Sequence, residues 1–124
     1  MNKALRIPDY LGHILLAIQR IERHTSHIDQ ANFLSSELIQ DAVIRNLEII
    51  GEAANNIQRA DADFANSHPT IPWRVMYAMR NRLSHAYDQV DVEIIWQTIQ
   101  RDLPALFDQV KAAHTHAISK LAGE

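Results

Sequence analysis

The stretch Arg80-Asn81-Arg82-Leu83-Ser84-His85-Ala86-Tyr87 holds an arginine, a histidine five residues on and a tyrosine two further. If Arg80 to His85 is helical, each residue turns about 100°, so Arg80 lies at roughly 0°, Ser84 at roughly 40°, Asn81 at roughly 100° and His85 at roughly 140°. Four polar side chains then share one arc. Met76, Met79, Leu83 and Ala86 fall on the other, the side a core claims. Arginine offers phosphate a fixed, permanently charged fork. Histidine is the side chain best suited to proton transfer near neutral pH. Such a pair could cleave a phosphodiester without a metal, with Arg82, Asn81 and Ser84 in support.

The pattern R-x4-H-x-Y, here Arg80, His85 and Tyr87, resembles the motif of the HEPN superfamily in its HepT-like (DUF86) branch. Three other segments in the same order resemble that family too: Ala42 to Ala53 (AVIRNLEIIGEA), His68 to Trp73 (HPTIPW) and Asp102-Leu103-Pro104. One departure is Ala86, where many relatives carry Gly. The resemblance implies a metal-independent endoribonuclease with Arg80 and His85 as its catalytic pair. It implies the toxin of a type VII-like toxin–antitoxin system, whose partner is a minimal nucleotidyltransferase antitoxin of the MntA kind. That partner transfers AMP from ATP to the motif tyrosine, here Tyr87. It also implies a homodimer in which two motifs form one cleft. The alternative is a non-catalytic nucleotide-binding partner of that transferase.

The whole chain narrows the field. Its 124 residues suffice for one core and one domain, residues 1–124. With no cysteine, disulfide scaffolds, thiolate metal sites and cysteine nucleophiles are excluded, in keeping with a cytoplasmic protein. Neither a signal-peptide pattern nor a run of roughly 20 apolar residues is present, so no membrane segment is expected. The net charge of −3 argues against a broad polyanion-binding surface. Locally the balance reverses: from Phe64 to Tyr87 there is no acid, while Arg74, Arg80, Arg82, His68 and His85 lie there. That suits a small phosphate site.

Apolar spacing predicts the elements that must position this motif. Leu11, Ile14, Leu15, Ile18 and Ile21 mark a first helix from Pro8 to about Thr25. A second runs from Ser36, as its cap, to about Arg59, with Ile39, Val43, Leu47, Ile50, Ala54 and Ile57 inward. Gly51 inside it costs about 1 kcal/mol against Ala and marks close packing of another helix. Its polar stripe includes Arg45, Glu48 and Glu52. These are either a solvated face with i,i+4 ion pairs or the groups that order the motif's Arg or His. Asp61 to Pro69 reads as a short irregular connection. Thr70 is expected to cap a third helix, which carries Trp73, Met76, Met79 and Leu83 inward and ends near Tyr87. Asp91 caps the fourth, kinked at Pro104, with a frayed polar tail after Ala113. The expected fold is an all-α, up-and-down four-helix bundle.

Other chemistry finds little support. His13, His24 and His27 read as surface histidines, since no carboxylates stand in phase with them. His114 and His116 diverge by about 200° on a helix, and His68 reads as a loop residue. There is no Gly-rich phosphate loop, nucleophile elbow or zinc-type spacing, and no cofactor or metal is expected. Tyr87 is either exposed at the helix end or half-buried in packing.

Overall fold

A computed structural model describes residues 6–123, apart from the side chain of Tyr87. Residues 1–5 and 124 of the expected domain lie outside the described residues. The described residues form seven α-helices and no strand. Helix α1 spans Ile7–Thr25, with Pro8 in its first turn and Leu11, Ile14, Ile18 and Ile21 buried. Helix α2 is a single short piece, Gln30–Leu34, capped by the Asp29 carboxylate. Helix α3, Glu37–Ala60, opens with the Ser36 hydroxyl accepting the Ile39 N–H at 3.2 Å, the cap the sequence predicts. Helix α4, Ala62–Asn66, is the irregular turn expected before the motif helix.

Helix α5, Trp73–His85, carries the motif. Its start differs from expectation. Thr70 is exposed and caps nothing, and Pro72 holds the cap position without a side-chain bond. A tight turn in which the Ile71 N–H reaches the His68 carbonyl consumes the residues before the helix. The start is pinned instead by Trp73, whose buried indole N–H donates to the Ala65 carbonyl at 3.0 Å. Its end comes at His85, slightly before Tyr87. Ala86 follows with φ −139°, ψ 38°. That negative φ is open to alanine, so glycine is not needed there. Tyr87–Gln89 then forms one 3-10 turn, and the Asp91 carboxylate caps helix α6, Val92–Arg101.

Helix α6 and helix α7, Leu103–Leu121, replace the single kinked helix expected. Pro104 lacks the N–H that Gln100 would need and its ring crowds the preceding turn, so the helix stops at Asp102 and restarts with Pro104 in its first turn. The tail is not frayed. Leu106, Val110, Ala113 and Ala117 are buried at steps of four, three and four, so small alanines extend the core stripe about two turns past the bulky residues. In cross-section α3 lies between α1 and α5, α7 lies along α1, and α6 sits on α2 through Phe33 and Trp96, ring centroids 5.3 Å apart. This is the expected all-α bundle, with α6 and α7 together making its fourth rod.

Candidate functional site

The site is built on the seam between α3 and α5, and a glycine sets that seam. Gly51 is buried, and a Cβ there would overlap the Arg80 Cβ and lie 2.5 Å from the Met76 carbonyl oxygen. The missing side chain lets α5 approach α3 closely at the turn that carries Arg80. This is the contact that a tolerated mid-helix glycine predicts.

Two cross-helix bonds then fix the register. The Arg80 guanidinium Nε lies 3.1 Å from Glu52 Oε2, and one turn later the Ser84 hydroxyl donates to Glu48 Oε2 at 2.6 Å. Four residues forward on α5 correspond to four residues back on α3, so the helices run antiparallel here. A second guanidinium nitrogen of Arg80 donates to Asn81 Oδ1 at 3.0 Å. The Arg80 and Glu52 side chains are 31% and 49% exposed. A pair this wet contributes at most about 1 kcal/mol to stability. Its consequence is orientation: the guanidinium is held across the seam instead of sweeping through solvent.

Arg80 and Ser84 share a groove of about 250 Å³ with Arg45, Glu48, Glu52 and Asn56 of α3. Helix α1 contributes His13, whose ring lies edge-on to Tyr10 at 6.3 Å. His13 is exposed, as a surface histidine should be, yet it faces the motif. No spacing rule within α1 could reveal this, because it depends on how α1 is rotated against α3. His24 and His27 are exposed and lie outside the groove.

The four polar groups expected on one arc are divided. Arg80 and Ser84 face α3, and half-buried Asn81 is tied to Arg80. His85 and Arg82 are exposed and do not line the groove. No hydrogen bond or ion pair joins either to another described side chain. The roughly 140° between Arg80 and His85 on a helix wheel explains the division. The acid-free stretch is also not acid-free in space, since α3 delivers Glu48 and Glu52 to it. The side chain of Tyr87, the expected modification site, lies outside the described residues. Among the described residues no group of three or more His, Asp or Glu side chains is gathered for a metal, and no helix is long and apolar enough to cross a membrane.

Comparison with known proteins places the chain in a family. Residues 14–113 match the sequence pattern of the family described as Ribonuclease HepT-like. The chain is 50% identical over 98 residues to "Probable ribonuclease HepT" of Thermococcus cleftensis, an alignment covering 79% of this chain and 86% of that one. It is 36% identical over 102 residues to "Putative RNase TTE0752" of Caldanaerobacter subterraneus subsp. tengcongensis, covering 82% and 88%. No solved structure gives a significant match. Both relatives are matched over most of their own length, and the family pattern spans the seam and the motif together: the chain belongs to the Ribonuclease HepT-like family.

Proposed function

We propose that this protein is a metal-independent endoribonuclease and the toxin of a toxin–antitoxin pair, with Arg80 and His85 as its catalytic residues. The observation that carries this reading is the placement of Arg80, held across the seam by Glu52 and Asn81, little more than one turn short of a helix end at which His85 is exposed to solvent. RNA supplies its own nucleophile. His85 takes the proton from the 2′-OH, or gives one to the 5′-oxygen as it leaves. Arg80 binds the scissile phosphate and stabilises the charge it gains in the transition state. Asn81 and Arg82 support the phosphate, and Ser84 with Glu48, Glu52 and Arg45 keeps the groove wall in register. The names of the relatives support RNA as substrate.

One proton-transfer group per motif leaves an acid or a base missing. A two-fold homodimer supplies it by bringing a second Arg80/His85 set to the same cleft. The surface beside α5 supports this assembly. Val75 is 66% exposed, and Met76, Met79, Leu103 and Leu106 line a groove of about 310 Å³ between α5 and α7 that a second copy would cover. Tyr87, two residues beyond His85, is the site at which an MntA-like nucleotidyltransferase adds AMP. Each AMP adds about one negative charge and considerable bulk where RNA must enter.

Cleavage should persist in EDTA and leave 2′,3′-cyclic phosphate or 3′-phosphate ends. Loss of activity on chelation, restored by a divalent ion, would refute the 2′-OH mechanism. Intact-mass analysis after co-expression with the transferase should show added AMP on the parent and none on Tyr87→Phe. An unmodified parent that is nevertheless neutralised would point to simple occlusion by the partner.

A further inference from the structure

At the far end of α5 from the motif, two histidines 48 residues apart meet. His68 lies in the connection before α5, and His116 near the end of α7. His68 Nε2 and His116 Nδ1 face each other at 2.9 Å, with ring centroids 5.1 Å apart. Both rings rest on the buried ring of Phe64, whose centroid is 4.8 Å from His68 and 5.5 Å from His116, the latter stacked at 17°. The apolar wall restricts both imidazoles on one side while their facing nitrogens stay near solvent.

We propose that His68 and His116 form a two-imidazole binding site for a late first-row divalent metal ion, one that braces the start of α5 against α7. The separation of the nitrogens carries the argument. With metal–nitrogen bonds of about 2.0–2.1 Å, two ligands at a right angle stand roughly 2.9 Å apart, and two tetrahedral ligands roughly 3.4 Å apart. The observed 2.9 Å is the length of the hydrogen bond between the rings; Cu²⁺ or Ni²⁺ held by two ligands at a right angle keeps that separation, so each ring need only turn its lone pair from its neighbour toward the ion. Zn²⁺ requires the rings to open by about half an ångström and binds more weakly, the direction the intrinsic affinity order also gives. No third His, Asp or Glu joins the pair among the described residues, so water fills the remaining positions. The proton balance is simple. In the hydrogen-bonded pair one ring donates its N–H to the other. On binding, the donor ring moves that hydrogen to its outer nitrogen through solvent, and both inner lone pairs turn to the metal. Because the ion joins residues 48 positions apart, it closes a long loop of chain and stabilises the native state alone.

The test is thermal unfolding of the untagged full chain in chelator-free buffer, with NiCl₂, CuCl₂ or ZnCl₂ added at tens of micromolar and MgCl₂ as the control. The midpoint should rise by at least about 5 °C with Ni²⁺ or Cu²⁺ at saturation, less with Zn²⁺ and not with Mg²⁺. EDTA should reverse it. His68→Gln and His116→Gln should each remove the rise, and His114→Gln should keep it. As a measurement independent of stability, substoichiometric Cu²⁺ should broaden the NMR signals around His68 and His116 first. An unchanged midpoint in the parent, a rise that survives in both variants, or broadening centred elsewhere would overturn the assignment.

Discussion

The two ends of α5 are built on opposite terms. At its start, Trp73 is buried and bonded to the Ala65 carbonyl, and the preceding connection is held to α7 through His68, Phe64 and His116. At its end, His85 and Arg82 stand exposed, and only a 3-10 turn follows before the Asp91 cap. Between them Gly51 lets α3 grip the helix at Arg80. Anchoring one end and the middle fixes the direction of the helix. In the last turn Leu83 and Ser84 still serve the packing, while His85 and Arg82 are free to carry chemistry without carrying the fold. Groups that hold a bundle together must be buried and satisfied, whereas groups that meet a polymeric substrate must be reachable.

That division predicts separable effects, the largest at Arg80, where the gripped middle meets the open end. Arg80→Ala should lower RNA cleavage by roughly 10³-fold or more, the scale lost with a transition-state charge donor. Its urea midpoint should move little, since the Glu52 pair is half wet. A joint collapse of stability and activity would show that Arg80 is part of the scaffold. Gly51→Ala addresses the seam. The added Cβ overlaps Arg80 and the Met76 carbonyl, neither of which can yield without moving α5, so equilibrium unfolding should show a loss of about 1–3 kcal/mol. A neutral result would mean that the two helices are not in close contact in solution. The smallest effect belongs to the anchored start. Because the folded-state pKa of His68 is lowered, the unfolded chain takes up the proton first as pH falls. The stabilisation is therefore complete above the ordinary histidine pKa, about 6.5, and is lost as pH falls through the lower folded value. Melting between pH 7.5 and 5 should show a slight downward drift that His68→Gln flattens. A drift of equal size in that variant would assign it to other groups.

Much of the fold is legible in the sequence itself. The helix periods and the Ser36 and Asp91 caps are local, since each depends on residues within a few positions of one another, and a mid-helix glycine at Gly51 announces a close contact without naming its partner. Sequence and structure part where tertiary contacts overrule local preference. Thr70 is a good cap by type, but a tight turn at His68 to Ile71 takes its place. The tail after Ala113 reads as polar because a single small residue, Ala117, carries its buried face. Pro104 ends the helix that its sequence context suggests it only kinks. The polar stripe of α3 is open to two readings, and the contacts of Glu48 with Ser84 and Glu52 with Arg80 favour the second. His13 in the groove, and His68 beside His116, depend on helix rotation and on a distant return of the chain, which no spacing within one helix records.

RNA cleavage by purified His85→Ala protein beside the parent, in EDTA and at equal concentrations of folded protein, tests most directly whether His85 is catalytic. The parent should cut and the variant should do so at least about 10²-fold more slowly, with unchanged helical content. Equal rates from the two would remove His85 from the mechanism and contradict the assignment of the open end as the catalytic one.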